Sequence, residues 1–291
     1  MSVVTTKWET TNLYLLGTVH VSKQSVINAS DLVEAVKPSV LFLELCDQRQ
    51  GLLLADNETA RDKQPRSIKQ MYDLFKRDDT NAFTILYSFF IRYIEDEIGV
   101  RAGGEFKSAY ETGLKTSCPA LVLGDRPMSI TINRLWNGFS IFQKLKLLFH
   151  LFGSPAQDNA SSLSAHLEKL ENEKDVLSME IKAVADRLPW FFECLINERD
   201  QYMAIKLHNT IQKMQLNHVP GDVVAIVGCG HVEGVLKHYE RVQQMDEAEL
   251  RSAHRRVMRV PIADSDFTIK DLRVYAGATS ATYLRVSSTA N

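Results

Sequence analysis

Asn12-Leu-Tyr-Leu-Leu16, running into Gly17-Thr-Val-His20, and then Ser39-Val-Leu-Phe-Leu43, running into Glu44, are the stretches that decide the fold. Each is a short apolar run of the kind buried on both faces of a sheet. Helix-like sequence from Ser25 to Val36 joins them, and Pro38 ends it. Strand, helix, strand within so short a span predicts parallel pairing through a right-handed crossover. Polar side chains just past such strands line the carboxyl edge of the sheet, where open α/β folds bind ligands.

Further along, Cys118-Pro-Ala-Leu-Val-Leu123 reads as a third core strand that delivers Gly124-Asp125-Arg126 at its end. Asp222-Val-Val-Ala-Ile-Val227 is the strongest strand in the chain and runs into Gly228-Cys-Gly-His231. A long charged helix is expected from there to about Met258. Ile68 to Ile98 carries helical spacing, Glu105 to Gly113 fits another helix after the Gly103-Gly104 break, and Thr268 to Tyr275 and Thr282 to Val286 have the pattern of short strands. Residues 135–217 differ in character: helical stretches interrupted by the Ser-, Gly- and Asn-rich Gly153 to Ser162. The expected architecture is α/β, a mainly parallel or mixed central sheet with this helical insertion capping the sheet edge. One domain over 10–285 is expected, with 1–9 and 287–291 as flexible termini.

The chain has 291 residues, enough for a substantial core and near the size at which one core begins to divide. Its 34 basic and 36 acidic residues nearly cancel, which gives no field for holding a phosphate backbone, so nucleic acid is not an expected partner. His254-Arg255-Arg256 reads as the solvated face of a helix. Cys46, Cys118, Cys194 and Cys229 form no CxxC pair, which argues against a thiolate zinc site and a disulfide scaffold, and for a reducing compartment. Residues 1–10 lack the apolar run of a signal peptide. No apolar stretch reaches the roughly 20 residues of a membrane span. Leu135 to Phe152 is apolar-rich but interrupted by Gln143, Lys144 and Lys146, and reads as a buried or surface-seeking helix. The expected location is cytoplasmic.

Two strands each end in glycine, two residues, histidine. Glycine permits a sharp turn and close approach, and places His20 and His231 at the tops of their strands. If those strands are neighbours, the two imidazoles face one crevice, where they bind divalent metals or exchange protons near neutral pH. Glu44 is the natural third member, because a carboxylate ending a buried strand needs a partner. The plain alternative is a structural ion pair with Arg49 or Arg126. Two histidines and a carboxylate form a metal triad with room for water, which could supply a nucleophile. Glu105 and Asp125 are candidate bases, and Arg126 or Arg199 a candidate oxyanion or carboxylate anchor. Arg49, Thr131, Arg134, Glu198 and Asp200 stand close by in the sequence pattern, with Gly17, Gly124, Gly228 and Gly230 shaping the turns. A capping and salt-bridge network is the plain reading of these groups. Cys229 has apolar neighbours and no base beside it. The dinucleotide fingerprint fails, since its third glycine would fall at Glu233 while Gly234 is one residue late; G-x-x-x-x-G-K-[ST], G-x-S-x-G and H-E-x-x-H are absent.

Taken together, Gly17-Thr-Val-His20, Glu44 with Arg49, Gly104-Glu105-Phe106 with Ala109, Gly124-Asp125-Arg126 with Thr131 and Arg134, Glu198-Arg199-Asp200 and Gly228-Cys-Gly-His231 resemble the TraB family. That family includes bacterial pheromone-shutdown proteins such as PrgY and GumN, and the wider group embraces the Tiki metalloproteases. The resemblance implies metal-dependent peptide cleavage with His20, His231 and Glu44 around manganese, cobalt or zinc. It also implies a peptide or protein substrate and, for some relatives, contact with an organelle membrane such as the mitochondrion. The chain departs from the Tiki arrangement in having no evident signal peptide or anchor. The expected activity is that of a metal-dependent hydrolase, a peptidase; the alternative is a non-enzymatic peptide-binding or organelle-surface adaptor using the same crevice, with Leu135 to Phe152 as a docking face.

Overall fold

The computed structural model describes residues 2–8, 11–19, 23–54, 103–138 and 189–260. Strands β1 (Ser2–Trp8), β2 (Thr11–Thr18), β3 (Val40–Leu43), β4 (Ala120–Leu123) and β5 (Val223–Gly228) form one sheet in the order β1-β2-β5-β3-β4. β2, β5, β3 and β4 run parallel, and β1 lies antiparallel on β2. The sheet is therefore mixed and mostly parallel, as the strand-helix-strand pattern predicts. Ser2–Trp8, expected above within a flexible terminus, is an edge strand.

The helices are α1 (Lys23–Val36), a single turn α2 (Gly51–Leu54), α3 (Gly104–Lys115), α4 (Met128–Gly138), α5 (Glu198–Leu216), α6 (Cys229–Val242) and α7 (Glu247–Met258). α5 continues from a turn at Pro189–Phe192 and a five-residue π-segment, Glu193–Asn197. The long helix expected after Gly228 is two helices. Asp246 divides them: its side chain accepts from the Glu249 amide at 2.8 Å while Glu249 accepts from the Asp246 amide at 3.0 Å, a capping box that starts α7 anew.

Strand periodicity explains the layers. Alternate residues of β5 point to opposite faces. Val223, Ala225 and Val227 join Leu13, Leu15, Val40 and Phe42 on one face, where Met203, Leu207 and Ile211 of α5 and Val235 and Tyr239 of α6 cover them. Val224 and Ile226 join Leu16, Leu41 and Leu43 on the other, beneath Ala29 and Val33 of α1 and Phe106 and Ala109 of α3. A sheet buried on both sides needs apolar residues at successive positions, which is why β3 and β5 read as unbroken runs. Each such side chain contributes roughly 1.5–3 kcal/mol of burial. α5, within the expected insertion, thus forms one of the two covering layers. β4, expected as a core strand, is the sheet edge, and Leu121 on it is exposed.

Expectations at Ile68 to Ile98, Gly153 to Ser162, Thr268 to Tyr275 and Thr282 to Val286 lie outside the described residues, as do residues 139–188 of the expected helical insertion and His20. Among the described residues no helix is long and apolar enough to cross a membrane. Of Leu135 to Phe152 only 135–138 is described, at the end of α4, and Leu135 is buried there.

Candidate functional site

The carboxyl ends of the parallel strands bring the chemistry-bearing residues together. Thr18 at the end of β2 pairs with Gly228 at the end of β5, so the ends of these two strands lie side by side. Gly17 is needed for that arrangement, since a Cβ there would stand 2.7 Å from Val232 of α6. β3 continues beyond Leu43 through bonds from the Glu44 amide to Ile226 (3.0 Å), from the Gly124 amide to Leu43 (2.7 Å) and from the Asp125 amide to Leu45 (3.0 Å). Glu44 and Asp125 are thereby fixed next to the first turn of α6, which carries His231.

Arg199, on the first turn of α5, is the hub. Its Nε donates to Asp125 Oδ1 at 2.9 Å and its Nη2 to Asp125 Oδ2 at 2.9 Å and to Glu44 Oε1. Its Nη1 donates to the Leu195 carbonyl at 3.0 Å and meets His231 Nε2 at 3.1 Å. All five guanidinium N–H groups have partners. Arg49 adds Nη2 bonds to Asp125 Oδ2 (2.7 Å) and to the Glu44 carbonyl (3.1 Å). Glu44 Oε2 accepts from the Gly228 amide at 2.6 Å, at the positive end of α6. Glu44 is a member of an ion pair, but its partner is Arg199 and not the expected Arg49 or Arg126: Arg49 reaches only its carbonyl and Arg126 pairs with Glu198.

A guanidinium can only donate, so the short contact with Arg199 makes His231 Nε2 an acceptor and leaves the proton on Nδ1. Nδ1 faces Asp200 Oδ1 at 2.5 Å. Burial pushes the Asp200 carboxyl up to about 6, against the opposing pull of His231 and Arg199. Burial also pushes Asp125 upward, but Arg199 and Arg49 outweigh it and hold the carboxyl below its ordinary value. Asp200, and Gly234 of α6 where a Cβ would overlap the Asp200 carboxylate, are members of this site whose roles the sequence leaves unassigned; the Glu-Arg-Asp triplet on an otherwise amphipathic helix is the signal for the first.

A second buried network lies behind the first. Arg126, completely buried, donates from Nε to Thr131 Oγ1 (2.9 Å), from Nη1 to Glu198 Oε2 (2.7 Å) and the Val257 carbonyl (2.8 Å), and from Nη2 to the Cys194 carbonyl (2.7 Å). Arg134 donates from Nε to Glu198 Oε2 (2.7 Å) and from Nη2 to Glu198 Oε1. Burial lowers the Arg126 guanidinium from its ordinary value, and burial together with Glu198 pushes the Cys194 thiol up to about 12. Glu105 is buried on the first turn of α3, on the α1 side of the sheet. Gly124 ends β4 where a Cβ would overlap the Phe42 ring, and Gly230 lies in the first turn of α6.

This geometry corrects the metal expectation. Among the described residues no group of three or more His, Cys, Asp or Glu side chains could hold a metal ion. The physical reason is that the donor atoms are engaged: Arg199 takes one oxygen of Glu44 and the Nε2 lone pair of His231, the Gly228 amide takes the other oxygen, and Asp200 holds Nδ1. The triad of His20, Glu44 and His231 around manganese, cobalt or zinc, and with it the metal-dependent hydrolase, peptidase or metalloprotease, is withdrawn. The water nucleophile assigned to that ion falls with it.

What fold and site define together is an open, mostly parallel α/β domain with a buried ionic cluster at the carboxyl edge of its sheet. The chain belongs to the TraB/PrgY/gumN family, which it matches over residues 2–246. It is similar to an uncharacterized protein of Methanocaldococcus jannaschii, 27% identical over 82% of this chain and 56% of that protein. It is also similar to the TraB domain-containing proteins of Homo sapiens, 26% identical over 90% of this chain and 73% of that one, and of Bos taurus, 26% over 86% and 69%. The chain thus spans little more than half the length of the archaeal relative. These comparisons give no support to the wider kinship with the Tiki proteases.

Proposed function

We propose that the cluster is a recognition site for the carboxylate of a peptide or protein ligand, so that the chain works as a binding module. One observation carries this reading. Among the charged groups that meet at the strand ends, the arginines reach solvent, Arg49 with 25% and Arg199 with 15% of the side chain exposed. The Glu44, Asp125 and Asp200 side chains stay at 3–5%. An approaching carboxylate meets the more exposed Arg49 edge first, and planar guanidiniums match carboxylates in geometry as well as charge; Arg199, whose N–H groups are all engaged, adds charge rather than hydrogen bonds. The buried carboxylates hold the two cations in place before any ligand arrives, which lowers the ordering cost of binding.

The test is a calorimetric titration of the full chain with a small library of peptides, each in free-acid and C-terminally amidated form. The free acids should bind at least about tenfold more tightly, a difference of about 1.4 kcal/mol. Arg49→Ala should erase the preference, and raised salt should weaken it. Equal affinity of acid and amide forms, or no binding of either, would overturn the reading.

A further inference from the structure

We infer that α7 is a separable latch, and that Arg126, Arg134 and Glu198 are positioning residues through which its seating sets Arg199 in the cluster. Among the described residues α7 has little apolar hold: Val257 is its one buried residue, and it packs chiefly on α5. It is held chiefly through polar and ring contacts. The Val257 carbonyl accepts from Arg126 at 2.8 Å, and the Arg256 carbonyl (3.3 Å) and the Arg259 carbonyl accept from Arg134. Arg256 donates to Gln201 Oε1 at 3.0 Å, and the His254 and Tyr202 rings lie 5.6 Å apart. These carbonyls belong to the last turn of α7 and the residue after it, where intrahelical donors run out. The arginines serve as its cap.

Both capping arginines share Glu198, one residue before Arg199 in the chain. The π-segment makes this tie direct. Its wider turns change the helical phase and free carbonyls for outside donors. Cys194 receives Arg126 and Leu195 receives Arg199, so one five-residue stretch is gripped by both networks. When α7 leaves, Arg126 and Arg134 lose carbonyl acceptors in a dry site, where unmet guanidinium donors are costly. The local remedy is a shift of the π-segment and Glu198, and Arg199 moves with them. Low-stability elements that open on their own are the ordinary source of such coupling.

The experiment is amide hydrogen exchange resolved by residue on the full chain, wild type against Val257→Ala and, independently, Arg134→Lys. Both substitutions loosen α7, the first by removing its buried side chain and the second by removing the fork that caps it. Exchange in 250–258 should rise roughly tenfold in each variant, as for an element that opens locally. The Gly228 amide, which donates to Glu44, should accelerate with it because Glu44 loses its hold on Arg199. Amides of α1, on the opposite face, should stay at wild-type rates. Faster exchange in α7 with an unchanged Gly228 amide would show a loose helix without a tie to the site and overturn the inference. So would uniform acceleration through α1, or no change in 250–258 in either variant. None of these readouts depends on a ligand, so the carboxylate reading stands or falls separately.

Discussion

Gly234 and Asp200 are fitted to each other: a Cβ on Gly234 would overlap the Asp200 carboxylate, which at that spot bonds His231 Nδ1 at 2.5 Å. α6 presents its histidine and, one turn later, the gap into which the partner of that histidine fits. A glycine within a helix ordinarily costs about 1 kcal/mol relative to alanine. Here the propensity gain of alanine meets a backbone-anchored collision with a buried carboxylate. Gly234→Ala should therefore lower the unfolding free energy by about 1–3 kcal/mol, the usual range for overpacking. Denaturant unfolding gives the magnitude, and nitrogen NMR of the imidazole should show that the single Nδ1–H tautomer is lost. A stabilised variant with its tautomer intact would contradict this account.

The engaged donors of the cluster lead to a second expectation. Manganese, cobalt and zinc should leave the melting temperature unchanged, and prolonged chelation should leave both stability and fold unchanged. The positive charge of Arg199 lies against Glu44 and His231, the groups an ion would need. An ion bound only to the folded state at a hundred times its dissociation constant would stabilise by about 2.7 kcal/mol, a shift that thermal unfolding detects easily. Such a shift, abolished by His231→Ala, would reinstate a metal centre.

These two cases mark how far the sequence could be read. The apolar runs ending at Glu44 and Gly228 are legible because a strand buried on both faces cannot be written otherwise. The adjacency of the ends of β2 and β5 follows from that pattern, and Thr18 opposite Gly228 realises it. β1 is not legible, because its Thr- and Lys-containing edge sequence lacks the apolar density of a core strand. Nor is the division of labour among Glu198, Arg199 and Asp200. Consecutive residues serve three partners, and only the phase set by the π-segment, which has no sequence signature, decides which faces which. The metal expectation failed for the same reason. A His, a Glu and an Arg at strand and helix ends are equally consistent with an ion and with an arginine in its place.

The helix–strand connections supply a third prediction. Lys37, Ser117 and His218 each take a left-handed conformation, φ 48°, 57° and 52°, and each follows a helix that leads to the next parallel strand. A glycine at this C-terminal position avoids the Cβ strain of roughly 1–2 kcal/mol, offset in part by its greater freedom in the unfolded chain. Each of Lys37→Gly, Ser117→Gly and His218→Gly should raise the unfolding free energy by about 0.5–1 kcal/mol. The three connections are separate, so the triple variant should show near-additive gains in urea midpoint. A loss at any one of them would mean that its side chain stabilises the turn by more than the strain it costs.

The pH dependence of stability should carry opposite contributions from the buried histidines and from Asp200. Burial lowers the His208 and His238 imidazoles from their ordinary value of 6.5, and Arg241, Lys237 and Arg256 depress His238 further. The unfolded chain then takes up protons more readily than the folded one, so stability is held above pH 6.5 and lost as the pH falls below it. Asp200 acts the other way. Its folded value near 6 lies above the ordinary 3.8, so the folded state binds the extra proton, and stability is regained as the pH falls from 6 toward 4. Asp125, held below 3.8, adds stability that is lost as the pH falls below that value. Urea midpoints taken at half-unit steps should decline from pH 7 to 6, flatten between 6 and 4, and drop steeply beneath. His208→Gln with His238→Gln should lessen the first decline, the rest coming from His254, which burial and Lys206 also lower, and Asp200→Asn should replace the flat region with a continuous fall. A flat region that survives Asp200→Asn would mean that another buried carboxyl takes up the proton.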